Sequence, residues 1–420
     1  MKRLSFLLLV SLLAIPFFYC SCSPSSSPSW PQWKGPTGDG ISQETGWNPL
    51  ALSGGAKILW KTNVGMAYSN VAIQGNRLYT MGTGEGFVCF VVCLDATTGK
   101  VIWRIPLEGT TTPQSTPTID GNRVYIMAAD DSLLCLRASN GKVIWGKRPK
   151  EDLNVEKPMY TWASSPIVEG DLLLVNANTA ELGLDKMTGE LKWEVHDKLP
   201  AGSNGSYTTP VVHDFDGKRC VFFLGPSSLN VLDVKTGQML WSFPHANIDM
   251  VTEDPIVSGN AALIQTMQWC TLVESTGGTP KALWSTTEFD NWAPGTVLVD
   301  GYLYGAHWSL LKAMAFTMLT QMSGTDWPLR CVNWETGKVM WERNMEHVSM
   351  TEADGKLILL GYDGTLHIVR ATSSSYEELS AADVLQGARP RPWITPPVLC
   401  GGRIYCHSFA GDVVCVDVRK

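Results

Sequence analysis

One hexapeptide pattern recurs along this chain and limits the folds open to it. It reads Thr98-Gly99-Lys100-Val101-Ile102-Trp103, Asn140-Gly141-Lys142-Val143-Ile144-Trp145 and Thr188-Gly189-Glu190-Leu191-Lys192-Trp193. It returns as Thr236-Gly237-Gln238-Met239-Leu240-Trp241 and Thr336-Gly337-Lys338-Val339-Met340-Trp341, with looser copies ending at Trp60 and Trp284. The tryptophans fall 42 to 57 residues apart. Repeats of that length mark propeller blades, small sheets that bury their faces only by stacking on one another.

A second element precedes each tryptophan signature: a polar pair, often a proline, two apolar residues, a glycine turn and an apolar strand rich in tyrosine. Examples are Ser115-Thr116-Pro117, Ser164-Ser165-Pro166, Thr208-Thr209-Pro210, Glu253-Asp254-Pro255 and Thr395-Pro396-Pro397, with looser copies at Ser69-Asn70, Gly295-Thr296 and Ser349-Met350. That predicts eight innermost strands, where proline is tolerated because it opens the strand. A glycine hairpin leads to the second strand, and the Asp-x-Thr-Gly turn leads into the outer strand. The expected fold is all-β, an eight-bladed β-propeller of four-stranded antiparallel blades. The early strand around Trp60 is expected to complete the last blade, sealing the ring. Blade 7 lacks the tryptophan and is expected to use 376–379 as its outer strand.

The expected organisation is a signal segment over 1–21, a tether and strap over 22–55, and the propeller over 56–420. Lys2-Arg3 followed by an apolar run reads as a secretory signal, too short to span a bilayer. It ends at Ser21-Cys22, which suits Cys22 as the lipidated residue of a bacterial lipoprotein, followed by a Ser/Pro tether over 23–29. The expected location is therefore extracytoplasmic and membrane-anchored, in the periplasm or at the outer membrane, with free secretion as the alternative. A net charge of -7, spread rather than blocked, carries no basic footprint for nucleic acid. Cys93, Cys135, Cys331 and Cys415 recur at one blade position, which reads as buried packing rather than disulfide or metal chemistry. Met314, Met318 and Met322 lie four apart within 309–322 and predict one face of a short helix, packed on the propeller or offered to a partner or membrane. The strap from Trp30 to Pro49 has no periodicity.

These repeats resemble the PQQ-like β-propeller family, which includes quinoprotein alcohol dehydrogenases and the lipoprotein of the outer-membrane barrel assembly machinery. The resemblance covers roughly 56–418. Secreted bacterial PQQ-like repeat proteins share the opening Trp30-Pro31-Gln32-Trp33-Lys34-Gly35-Pro36 and the stretches at Trp162–Pro166 and Asp300–Gly305. The resemblance implies a binding scaffold or, in the enzyme branch, a quinone cofactor held with calcium beneath an adjacent-cysteine disulfide. This chain has no adjacent cysteines, so no cofactor is expected; PQQ with calcium remains the enzyme alternative.

The residues just before the inner strands should ring the central channel. Those chosen as ligand-binding are Tyr68, Asn70, Trp162, Tyr207, Glu253, Asp254, Trp292 and Trp393, with Glu352 as a further channel candidate. Glu253-Asp254 stand where other blades carry hydroxyls, and two adjacent carboxylates suit a cation site or a base. No catalytic residue and no metal ligand set is assigned. Three readings stand open: a monomeric lipid-anchored module that binds an envelope protein or small ligand, a PQQ- or metal-dependent oxidoreductase, and a carbohydrate-binding protein.

Overall fold

The computed structural model describes residues 28–109, 111–128, 130, 132–155, 162–196, 205–246, 251–266, 268–291, 295–307, 327–385 and 395–420. Eight antiparallel sheets follow one another around a ring. Blade 1 consists of Ala72–Gln74, Arg77–Thr83, Cys89–Asp95 and Val101–Pro106, and blades 2 to 6 repeat that plan. Blade 7 uses Glu378–Asp383 as its outer strand, two residues beyond the sequence-based placement, because Arg370 and Glu377 first close a turn. Blade 8 takes Ile58–Asn63 as its outer strand, paired antiparallel with Asp412–Asp417. The two ends of the chain thus share one sheet, as the position of Trp60 required.

The tryptophan signature works between blades. The indole N–H of Trp60, Trp103, Trp145, Trp193 and Trp284 donates to the carbonyl of Ala96, Ala138, Lys186, Val234 and Trp334, each in the next blade's last turn. The glycine of that same turn lies against the ring. A Cβ on Gly99, Gly141, Gly189 or Gly337 would come within 2.6–3.0 Å of a carbon of Trp60, Trp103, Trp145 or Trp284, respectively. All four glycines have φ near +70°, a conformation L side chains resist. One residue is therefore required by both the turn and the neighbour. Aspartate sets the turn: Asp95, Asp185 and Asp233 each accept from the threonine N–H and hydroxyl three residues on.

In five blades a small residue sits opposite the ring, while Val231 and Leu272 take that place in blades 4 and 5. Tyr79, Cys93 and Trp103 face one another across three strands, as do Tyr125–Cys135–Trp145, Tyr304–Cys331–Trp341 and Tyr405–Cys415–Trp60. A bulge follows each such position. In blade 3 the position is Gly183, where a Cβ would lie 2.2 Å from Trp193. The recurring cysteines are buried, free thiols in this packing role.

The strap belongs to the ring. Ser29–Trp30 pairs antiparallel with the inner strand of blade 1, and Ile41–Ser42 pairs parallel with that of blade 7. Pro31 accepts from Ile119 of blade 2. Trp47 and Leu52 complete the core between blades 7 and 8. Among the described residues, no helix is long and apolar enough to cross a membrane. The segment 1–21, Cys22 and the 309–322 stretch lie outside the described residues.

Candidate functional site

The polar pairs that open the inner strands form a hydrogen-bonded hoop around the channel. The backbone N–H of Asn70 donates to Thr116 Oγ1 (2.9 Å), that of Thr116 to Ser165 Oγ (2.9 Å), and that of Ser165 to Thr209 Oγ1 (3.2 Å). Thr209 N–H donates to Asp254 Oδ1 at 2.6 Å. Asn70 Nδ2 closes back on the Pro396 carbonyl of blade 8. The second residue of each pair thus needs a short side chain with an acceptor oxygen. Inner-strand amides at a blade's end have no ladder partner, and a buried amide left unpaired is costly.

Asp254 fills this hoop position with a carboxylate and so has an oxygen to spare. Oδ2 accepts the Trp33 indole N–H at 2.6 Å and lies 3.5 Å from Lys34 Nζ. Glu253 Oε1 accepts from the same ammonium at 2.9 Å. Glu253 is fully buried, and Lys34 and Asp254 nearly so. Burial pushes the Glu253 carboxyl up to about 7, with Lys34 opposing the rise and Asp254 adding to it. Burial also opposes the charge on Lys34, but the two carboxylates outweigh it and hold its pKa above the ordinary value. Lys34 reaches this place from a left-handed backbone (φ +58°), and Gly35 beside it follows the face of Trp30.

A cleft of about 470 Å3 leads to this group. One wall is the strap over 32–41; the other is the hairpin ends of the inner strands of blades 3, 4 and 5. His213 lines it, and Arg219 lines it while bridging Glu169 and Asp214.

The other sequence-predicted residues are dispersed. Tyr68 is half-buried against Phe409, ring centroids 4.7 Å apart. Asn70 is a hoop member. Trp162 packs into the core between blades 2 and 3 with Tyr125, Leu133 and Val175. Tyr207 is buried, and its amide donates to the Val251 carbonyl. Glu352 turns back to accept from the Gly355 amide. Trp292 and Trp393 lie outside the described residues. Among the described members of the predicted set, then, Glu253 and Asp254 share one ion group, to which Asn70 is joined through the hoop, and their partners Trp33 and Lys34 come from the strap. Sequence reasoning missed both partners. The available signal was that two carboxylates before an inner strand need a cation, and the strap offers Lys34 next to a tryptophan.

Among the described residues no three carboxylate, histidine or thiol groups converge, and Glu253 and Asp254 both face Lys34.

The family model described as outer membrane protein assembly factor BamB matches residues 51–160 and 91–325, more than half of the chain. The chain is 25% identical to the outer membrane protein assembly factor BamB of Yersinia pestis over 60% of this chain and 62% of that protein. It is 25% identical to the tetrathionate hydrolase of Acidithiobacillus ferrooxidans over 44% of this chain and 38% of that protein. It therefore spans less than two thirds of the length of these curated relatives. Among solved structures, BamB from Moraxella catarrhalis superposes with a TM-score of 0.63 at 15% identity, covering 86% of this chain and 99% of that one. The quinohemoprotein alcohol dehydrogenase of Comamonas testosteroni superposes with a TM-score of 0.67 at 14% identity, covering 94% and 81%. At those identities the likeness is one of fold.

Proposed function

The chain belongs to the BamB family of PQQ-like propeller repeats, and from that premise we propose that it is an extracytoplasmic, lipid-anchored scaffold that binds a protein of the cell envelope without chemistry of its own. The observation that carries this reading is the use made of the channel's polar groups. The second residues of the inner-strand pairs in blades 1 to 5 hold neighbouring blades together. Both carboxylates contact the chain's own Lys34 ammonium. Side chains committed in this way are not placed to move protons for a substrate. A ring of eight rigid blades instead offers a broad surface with a fixed shape. Phe87 and Val88, at the tip of a blade 1 hairpin, are 61% and 48% exposed and present apolar surface to a partner.

A photo-crosslinking residue at Phe87, in cells expressing the full chain, tests this. A scaffold yields a discrete crosslinked product with one envelope protein, lost when the crosslinker is moved to Gly170, an exposed hairpin position of blade 3. The reading fails if no protein product forms while purified protein with calcium and PQQ gains a bound chromophore and dye-linked oxidation.

A further inference from the structure

Glu253 and Asp254 hold more negative charge than the ring architecture uses. Asp254 Oδ1 does the work that a hydroxyl does in blades 2 to 4. Asp254 Oδ2 and the whole Glu253 side chain are surplus to that hoop. They meet one ammonium, so the buried group carries two carboxylates for a single cation. Glu253 Oε2 has no hydrogen-bond partner, although the residue is fully buried. The Gly295 amide nearby favours the ionised form without reaching hydrogen-bond geometry at that oxygen.

The occupant is delivered by a lightly held segment. Among the described residues, the backbone of 32–39 makes no hydrogen bond to any blade; its attachments to the blades are the Trp33 and Lys34 side-chain bonds. Lys34 and Asp254 border the cleft and Glu253 does not, so the ion group meets the cleft through Lys34 and Asp254. We propose that Glu253 and Asp254 form a binding site for a primary alkylammonium, which Lys34 of the strap fills as an internal occupant, and that an external ligand of the same chemistry binds by displacing residues 32–39.

The chemistry is specific. A primary ammonium offers three N–H donors, and Lys34 already sets them against Glu253 Oε1 and Asp254 Oδ2, with the buried Glu253 Oε2 of the same carboxylate unpartnered. A quaternary ammonium carries the charge without donors and leaves those oxygens unmet. The site does not depend on the envelope partner proposed above, and its failure would leave that reading intact.

Two measurements test it together. In Lys34→Ala, n-butylammonium restores thermal stability saturably, by roughly 3–5 °C at a hundred times its Kd. Tetramethylammonium at equal ionic strength gives no such rise, and neither does n-butylammonium with Lys34→Ala/Glu253→Gln. In the wild-type full chain, which needs no substitution, n-butylammonium and Nα-acetyl-lysine amide each accelerate proteolytic cleavage within 36–39. A larger response to the lysine derivative assigns a protein-borne ligand; a larger response to the free amine assigns a small molecule. The proposal is overturned if tetramethylammonium or the double variant responds equally, or if cleavage of the wild type is indifferent to both amines.

Discussion

Replacing Gly189 by alanine attacks the clamp between blades 2 and 3 at a point where three costs can be separated. Gly189 has φ +74°, which costs a residue with a Cβ about 1–2 kcal/mol. The new Cβ would lie 2.7 Å from Trp145 Cε3, so the ring must shift, and overpacking of this kind costs about 1–3 kcal/mol. A shifted ring strains the Trp145 Nε1 bond to the Lys186 carbonyl, 3.2 Å long, worth about 1 kcal/mol net. The sum is about 3–6 kcal/mol. Gly170→Ala is the control: φ is +56° there, but nothing lies within 4 Å of its Cβ, so only the backbone cost applies. Urea titrations followed by far-UV circular dichroism and by tryptophan emission measure both losses, and coincidence of the two probes licenses the free energies. A Gly189→Ala loss no larger than that of Gly170→Ala would refute the clamp.

Other consequences follow from single groups. Trp241 Nε1 has no partner because the last turn of blade 5 is a Gly277-Gly278 hairpin rather than the recurrent one, so Trp241→Phe should cost about 1 kcal/mol less than Trp193→Phe, by the same urea titration. Glu253 has its carboxyl raised from 4.5 to about 7, so the folded state holds that proton more tightly than the unfolded chain. Its contribution is fully present below about 4.5 and is lost as pH rises through about 7. The stability gap between wild type and Glu253→Gln should therefore shift against the wild type by on the order of 3 kcal/mol between pH 5 and 8, and a pH-independent gap would contradict this. Burial pushes Cys93, Cys135 and Cys331 up to about 11. An aromatic disulfide reagent should modify none of the nine described cysteines in the native protein and all nine in urea.

The propeller was legible because its signals are local and repeated. Trp60, displaced to the front of the chain, announced ring closure, and the four cysteines opposite tyrosine and tryptophan announced packing. The double duty of the signature glycines was only half visible: the turn could be read, but the contact with the previous blade's indole is a long-range fact. Trp162 illustrates another limit. Its place before an inner strand suggested the channel mouth, whereas its indole lies between blades, because position along a blade does not fix which way a side chain points. The strap hid most. It has no period, and Lys34 meets Glu253 across 219 residues. Its charge, its left-handed backbone and the surplus carboxylates make sense only together.

The claim on which the functional reading turns is that Lys34 neutralises Glu253 inside the channel. A double-mutant cycle of Lys34→Met and Glu253→Gln, measured by equilibrium unfolding at pH 8 where Glu253 is ionised, reads that contact directly. A buried, charge-assisted pair at 2.9 Å predicts a coupling energy of about 2–4 kcal/mol. Additive single losses, with coupling below about 0.5 kcal/mol, would show that the strap does not seat its lysine on the acid pair.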